Sequence, residues 1–446
     1  MQNISIEEWV NSLRKIDSPF LTMGDVSYKY SELCLEIDRS LKILKLKNVN
    51  KKSRLLLIGD YNILSIASCL AAWICNSSII LQTIESSEIN RSYIEEIGYS
   101  HIITFDENKI KCVNINIPKI DIGDSRKLIF FTSGTSGKPK AIVHRLDNLM
   151  KKFQGKKRQN FSLIPFLLFD HMGGLNTLIS ALYNHGHLVI PTDRKVETIV
   201  NLIHKHKINL LPTTPTFIAS LIMHSNVLSK KLKSLELVTY GAEVMSQNIL
   251  NRAQTILPNT NFKQTYGLTE TGVLKTISKD KSTFFKIVDE KVETKIQDGI
   301  LWIKCYSNYD FIVVFKDNTL PQIQLSENSW ICTDDLTEVD GNYIRILGRK
   351  SDLINVAGQK FYPQELENTI LELPIVTDVS IHAKKNALTG STVEATCVLN
   401  DPNVNLNDFK VILKNHLRSR VSKFMIPSRI KISNKTNLST RLKKKR

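Results

Sequence analysis

No two of the seven cysteines (Cys34, Cys69, Cys75, Cys112, Cys305, Cys332 and Cys397) form a Cys-x-x-Cys pair, and their number is odd. That argues against a disulfide framework and a structural zinc site, and leaves the thiols as small buried apolar residues in a reducing compartment. Long apolar runs are missing too. The longest stretch, Asn62 to Asn76, is broken by Ser65, Ser68 and Cys69 and is too short to cross a bilayer. The opening MQNISIEEWVNSL has two glutamates and no basic-then-apolar pattern, so it does not read as a secretory leader. No membrane span and a cytoplasmic location are expected. Internal repeats and low-complexity linkers are also absent.

Acidic residues are scarce toward the C-terminus. From Lys410 to Arg446 there are thirteen basic residues and no aspartate or glutamate. Residues 349–446 hold eighteen Lys/Arg against eight Asp/Glu, more than half of the net charge of +17. Part of this excess is compositional, since Lys, Ile and Asn are abundant throughout. The rest suits a polyanionic partner: a phosphorylated cofactor, an acidic carrier protein or nucleic acid. Nucleic acid is disfavoured, because no recognised module appears and only Phe424 interleaves the basic stretch with an aromatic ring.

What is present reads as an ordinary globular chain. Its 446 residues, 42% hydrophobic and 23% charged, suffice for two or three compact units. Arg54–Ile58 predicts a buried strand, Ile63 to Trp73 a helix, and Ser78–Leu81, Lys127–Phe131 and Leu235–Thr239 further strands. Strands alternating with helices imply parallel sheets covered on both faces. Near residue 300 the pattern changes. Leu336–Val339 and Tyr343–Leu347 alternate and are joined through Asp340-Gly341-Asn342, a hairpin signal. After Gly348 a small α+β unit begins. Pro363 suits the first turn of a helix that puts Leu366, Ile370 and Leu373 on one face.

Three segments carry chemistry. Phe131-Thr-Ser-Gly-Thr-Ser-Gly-Lys-Pro-Lys140 follows a strand and is dense in Gly, Ser and Thr, so its amides and hydroxyls can converge on an anion. It is not a Walker A loop: Gly134 and Gly137 are two residues apart, and proline follows Lys138. Gln264-Thr-Tyr-Gly-Leu-Thr-Glu-Thr-Gly272 offers Glu270 as a ligand for a hard cation and Tyr266 as a stacking ring; alone it also reads as a surface turn. In Trp330–Leu336 and Gly348–Ile354, Asp335 can accept from two vicinal hydroxyls and Arg349 can clamp phosphate or ribose. Singly, these read equally well as turns and ion pairs.

The order and wording of the three resemble the acyl-adenylate-forming superfamily of acyl-CoA synthetases, adenylation domains and luciferases. The plan is similar to that of compact acyl- or aryl-CoA ligases. The resemblance implies an α/β fold: an N-terminal domain (1–348) of parallel sheets flanked by helices plus a small barrel-like sheet, and a small mobile α+β domain (349–446) rotating about Ser351. It implies ATP, Mg²⁺ and a thiol acceptor, either coenzyme A or the phosphopantetheine of a carrier protein. Thr132, Ser133, Gly134, Thr135, Ser136, Gly137 and Lys138 would wrap the β- and γ-phosphates. Gly241, Ala242 and Glu243, after Tyr240, match the adenine-pocket strand end, and Tyr266 would stack on adenine. Thr269 would touch the α-phosphate, Glu270 would hold Mg²⁺, and Asp335 with Arg349 would hold the ribose. The hinge position usually carries Asp or Lys; here it is Ser351. The C-terminal motif Pro-x-Thr-x-x-Gly-Lys is altered. Spacing from Pro427 places Asn437, Ser439, Leu442 and Lys443 on it, making Lys443 the candidate catalytic lysine, with Lys444 and Lys445 as rivals.

The acid is read from Leu163–Leu175. Phe169-Asp170 would suit an amino-acid-activating enzyme, whose aspartate pairs with an ammonium. Spacing to Leu188-Val-Ile-Pro191 instead puts His171 on the gate of acyl- and aryl-CoA ligases. A hydrogen-bonded helix cap is the plain alternative for His171. A fatty or aryl acid is therefore expected. Two other outcomes remain open: an amino-acid-activating enzyme, and an adenylate fold that binds without catalysing.

Overall fold

The computed structural model describes residues 5–106, 109–118, 120–124, 126–133, 139–153, 159–223, 229–306, 309–315, 321–325, 329–386, 390–401 and 403–433. They form two compact units. One comprises Met1–Pro212, Gly267–Leu274 and Cys305–Ser329; the other comprises Thr213–Tyr266, Lys275–Lys304 and Trp330–Arg446.

The first unit is built on an eight-stranded sheet. Its order is Gln322–Leu325, Tyr309–Val314, Pro139–Arg145, Lys127–Ser133, Ser78–Gln82, Arg54–Ile58, Gly98–Asp106 and Lys109–Pro118. The sequence predicts parallel sheets, but only the four strands from Lys127–Ser133 to Gly98–Asp106 are parallel; both flanks are antiparallel. Chain length explains the difference. Two residues join Asp106 to its partner Lys109, and five join Ser133 to Pro139, far short of the dozen or so that a parallel crossover needs. The central strands are buried at every residue of Ser78–Gln82 and at all of Arg54–Ile58 but Ile58, as near-continuous apolar runs require. Helix Ile63–Ile74 starts at Asn62, whose side chain accepts from Ser65 N, and is buried on all sides except at Ile74. A helix whose only polar side chains are the small Ser65 and Ser68 lies inside a core in this way.

Five strands of a further, seven-stranded sheet run in the order Val26–Lys29, Pro19–Met23, His187–Ile190, Ser162–Leu163, Leu210–Thr213. His187 lies within it. Its Nε2 is 2.7 Å from Thr22 Oγ1, its Nδ1 is 3.5 Å from Ser162 Oγ, and its ring meets His206 edge-on at 6.3 Å. Burial, then the neighbouring His206, pushes the His187 pKa down to about 4. The unfolded chain therefore takes up a proton near pH 6.5 that the folded chain refuses until about pH 4. Stability is full above that upper value and falls as the pH drops between the two. Allowing for partial solvent access, the loss is about 1–2 kcal/mol. Urea midpoints at pH 7.5 and pH 5.0 should differ less in His187→Gln than in the wild type. Equal pH dependence in both proteins would remove His187 from the account.

In the second unit, strand Leu237–Tyr240 runs parallel to Asn261–Gln264. The strand begins two residues later than the predicted Leu235, because Leu235 N still donates to Leu232 O and closes the preceding 3-10 turn, Ser229–Leu232. A six-stranded sheet follows, ordered Thr276–Ser278, Phe285–Ile287, Tyr343–Arg349, Ile331–Asp340, Ile300–Cys305, Val292–Gln297. Its central hairpin pairs Asp340 with Tyr343, so Gly341 and Asn342 alone make the turn, with Gly341 at φ +60°.

Residues 354–432 enclose a core of their own. The strands Val376–Asn386, Gly390–Leu399 and Arg429–Ile432 pack with helices Pro363–Ile370 and Leu406–Arg418 around Phe361, Leu366, Ile370, Phe409, Leu413 and Leu417. Pro363 occupies the first turn, and Leu373, past the helix end, is only partly buried. Cys34, Cys69, Cys112 and Cys397 are buried, but Cys332 is exposed and Cys75 and Cys305 are intermediate, so the expectation of buried thiols holds for four of seven. Among the described residues, no helix is long and apolar enough to cross a membrane.

Candidate active site

In the second unit, the parallel strands ending at Tyr240 and Gln264 release their loops from one edge, the carboxyl edge at which open α/β sheets bind ligands. Thr265 closes the two loops together: its N–H and its hydroxyl both donate to Tyr240 O, at 2.7 and 3.0 Å. A Cβ on Gly241 would lie 2.5 Å from Thr265 Oγ1 and 2.7 Å from Thr265 O, so only glycine fits. Ala242 follows with φ +67°. Glu243 turns to the start of helix Pro215–Met223, where Oε2 accepts from Thr216 N at 3.1 Å and from Thr216 Oγ1 at 2.6 Å. A carboxylate at a helix N-terminus is stabilised there.

Next along the chain, Tyr266 is buried and stacks on Phe285 with centroids 5.6 Å apart. Its hydroxyl donates to Asp335 Oδ2 at 2.5 Å, and Arg349 Nε lies 3.4 Å from Asp335 Oδ1. The hairpin register sets this up, since Asp335 and Arg349 are cross-strand partners. Thr333 Oγ1 also accepts from Asp335 N at 3.1 Å. Burial pushes the Asp335 pKa up, opposed by the Tyr266 hydrogen bond and then by Arg349. Burial, and then the Asp335 charge, hold the Tyr266 phenol well above its ordinary range, so it stays a donor. The cluster is a buried carboxylate kept in place by one neutral and one cationic donor.

In the first unit, Thr132 and Ser133 end the strand Lys127–Ser133, in register with Lys140 and Pro139 of the returning strand. Gly134, Thr135, Ser136, Gly137 and Lys138 lie outside the described residues, as do Lys443, Lys444 and Lys445. The turn bearing Thr269 and Glu270 is braced from inside: Leu268 N donates to Thr271 Oγ1 at 2.9 Å. A Cβ on Gly267 would meet Gly272 O at 2.2 Å. Thr269 and Glu270 themselves are half-buried.

The sequence reading missed the residue that ties this turn to the sheet. His144 is fully buried in the strand Pro139–Arg145, and its Nε2–H donates to Thr269 O at 2.6 Å. The only available signal was a histidine ending the apolar run Ala141-Ile-Val. The residues after the turn meet helix Met172–Asn184, where Lys152 donates to Asn176 Oδ1 and, at 3.2 Å, to Val273 O. His171 is the N-cap of that helix, its Nδ1 accepting from Gly173 N at 3.2 Å. The helix-cap contact is thus present, and it is compatible with a gate role for the same ring. Gly174 lets the helix start lie against the preceding segment, since a Cβ there would fall 1.8 Å from Leu168 O. Asp170 is buried, with Oδ2 3.4 Å from Thr83 N, just past the end of strand Ser78–Gln82.

Comparison with known proteins bears on both units. The AMP-binding enzyme family model matches residues 116–298, and the AMP-binding enzyme C-terminal domain model matches residues 365–444. Acyl-CoA synthetase 7 of Caenorhabditis elegans is 27% identical over 73% of this chain and 65% of its own length. The 2-succinylbenzoate–CoA ligase of Bacillus subtilis is 24% identical over 76% of this chain and 72% of its own. The chain thus spans about two thirds of the length of these relatives. The solved o-succinylbenzoate CoA synthetase of Bacillus subtilis, in complex with its acyl-adenylate intermediate, shares the fold with a TM-score of 0.75 at 20% identity, covering 98% of this chain and 96% of that one. With matches to both the adenylate-forming part and its C-terminal companion, on the same fold, this chain belongs to the AMP-binding, acyl-adenylate-forming enzymes.

Proposed function

We propose that the protein activates a fatty or aryl carboxylic acid with ATP and passes the acyl group to a thiol. The observation that carries this reading is the buried Asp335 carboxylate held between Tyr266 and Arg349. A buried charge is costly unless it is paired and hydrogen-bonded, and ionisable groups perturbed by burial cluster at functional sites. The remaining lone pairs of this carboxylate suit the vicinal hydroxyls of a ribose. Gly241 and Ala242 would form the backbone edge along adenine, and Tyr266, through its hydroxyl, would keep Asp335 in place. Thr132, Ser133 and the loop to Lys138 would receive the β- and γ-phosphates, with Thr269 on the α-phosphate.

Glu270 fits a magnesium ligand. Among the described residues no hydrogen bond or ion pair engages its carboxylate, and no cluster of three or more potential ligands competes with it. Magnesium typically takes one or two carboxylates and completes its shell with phosphate oxygens and water. Bound there, the ion would neutralise phosphate charge. A substrate carboxylate oxygen attacks the α-phosphorus in line, the bond to the bridging oxygen breaks, and pyrophosphate leaves; the protein's part is positioning and charge stabilisation. Lys443 would bridge the acid and the α-phosphate. In the second step the thiol sulfur attacks the acyl carbon and AMP departs. Residues 349–446 would rotate about Ser351 between the two steps.

Asp170 supports an acyl or aryl acid over an amino acid. Spacing to Leu188–Pro191 leaves it one position ahead of the gate residue His171, and its Oδ2 faces the Thr83 backbone amide at 3.4 Å. The acceptor would be coenzyme A or the phosphopantetheine of an acidic carrier protein, and the basic stretch from Lys410 suits either.

The test is pyrophosphate release with ATP and Mg²⁺ against fatty, aromatic and amino acids, with hydroxylamine to trap the adenylate. A fatty or aryl acid should raise release at least ~10-fold over the acid-free rate and yield a hydroxamate. Stimulation by amino acids alone would replace this reading with the amino-acid-activating one. ATP binding without release for any acid would favour a binding protein on the same fold.

A further inference from the structure

Ser351 lies in the 3-10 turn Lys350–Asp352, which contains no buried residue. The turn joins strand Tyr343–Arg349 to strand Ile354–Val356, the first strand of the separately cored C-terminal part. Such an uncovered connector has few contacts of its own to fix its backbone. It is nevertheless held: Ser351 N donates to Asp334 Oδ2 at 3.0 Å.

Asp334 is unusually placed to do this. It sits in strand Ile331–Asp340 at φ +61°, a left-handed conformation that glycine adopts freely and other residues adopt at a cost. Asp is among the few that tolerate it, because its short side chain finds a nearby hydrogen bond. Here that bond reaches seventeen residues along the chain. The two positions before the turn are tied as well. Gly348, at φ +154°, lies under the Tyr362 ring so closely that a Cβ would be 2.5 Å from Cδ1, and Arg349 pairs with Asp335. Neither of those ties reaches the turn itself.

We propose that Asp334 is a latch on the hinge: its carboxylate, by holding the Ser351 amide, fixes the connector in one setting and so sets the balance between adenylation and thiol transfer. The inference rests on the reading above that residues 349–446 rotate at Ser351. Asp334 is a positioning residue; it acts through the connector and touches no reacting atom. A charge-assisted bond to a backbone amide is short-ranged, strong enough to bias the turn and weak enough to break on each cycle.

Two variants separate the latch from its backbone setting. Asp334→Gly keeps the left-handed conformation and removes the acceptor. Asp334→Asn keeps both an acceptor oxygen and tolerance of that conformation. In the full chain, trypsin cleavage after Lys350 and hydrogen exchange in the peptide spanning 350–353 should be ~5–10-fold faster in Asp334→Gly and only ~2–3-fold faster in Asp334→Asn, whose neutral acceptor bonds the amide more weakly. The ratio of adenylation rate to thioester-forming rate should shift by the same order in Asp334→Gly alone. Unchanged cleavage and exchange in Asp334→Gly would overturn the latch. Faster cleavage with both half-reactions altered equally would overturn it too, leaving Asp334 a local brace. If the wild type activates no acid, the functional reading falls, and cleavage and exchange still decide whether Asp334 holds the connector.

Discussion

Glu270→Gln should lower acid-dependent pyrophosphate release by about 10²–10³-fold at low millimolar Mg²⁺ and leave thermal stability unchanged. The second half of the expectation follows from the structure. Glu270 is half-buried at the tip of a turn held by Thr271 and His144, and among the described residues its carboxylate has no partner to lose. Glutamine keeps the size and gives up the charge that a hard cation requires. The half-saturating Mg²⁺ concentration should rise by at least ~10-fold. Lys443→Ala should fail differently. A lysine bridging acid and α-phosphate tightens its contacts in the transition state, so its loss should slow adenylation by a similar factor with ATP affinity and Mg²⁺ dependence nearly unchanged. Near-wild-type rates in Glu270→Gln at limiting Mg²⁺ would sink the metal assignment. Activity surviving in Lys443→Ala would pass the role to Lys444 or Lys445.

Patterns local in the chain were legible before the structure, and patterns of contact were not. Apolar runs such as Arg54–Ile58 and Ser78–Gln82 announce buried strands, and a mostly apolar stretch announces helix Ile63–Ile74. Strand direction was overstated because the periodicity of a buried strand is the same whichever way its neighbour runs; only the link lengths 107–108 and 134–138 carry that information. Within the candidate site, motif wording pointed to Tyr266, Asp335 and Arg349, but not to the contact between Tyr266 and Asp335, sixty-nine residues apart. His144 reaches Thr269 across 125 residues and is a lone histidine until the sheet forms. Asp334 reads as the neighbour of a functional aspartate; its left-handed φ and its reach to Ser351 exist only once the hairpin closes.

Asp335→Ala should reduce ATP affinity by ~100-fold and destabilise the fold by about 2–4 kcal/mol, whereas Asp335→Asn should cost ~10-fold in affinity and almost nothing in stability. The alanine variant leaves the Tyr266 hydroxyl buried without its acceptor and removes the partner of Arg349. An orphaned buried donor costs its full desolvation penalty. The asparagine variant keeps an acceptor for Tyr266 and removes only the charge. Because burial raises the Asp335 pKa in the folded state, the folded chain binds that proton more tightly than the unfolded one. The linked contribution therefore favours folding at low pH and is lost as the pH rises from the unfolded value through the raised one. Above that raised value the charge is a liability to the fold, and its removal in Asp335→Asn offsets the loss of the pair with Arg349. What the charge does is accept strongly from ribose hydroxyls and align Arg349. Thermal melts and ATP titrations of the two variants at pH 7 separate these contributions. If Asp335→Asn unfolds as readily as Asp335→Ala, the carboxylate is there to hold the hairpin together. If it folds like the wild type and binds ATP poorly, the buried charge is kept for the nucleotide.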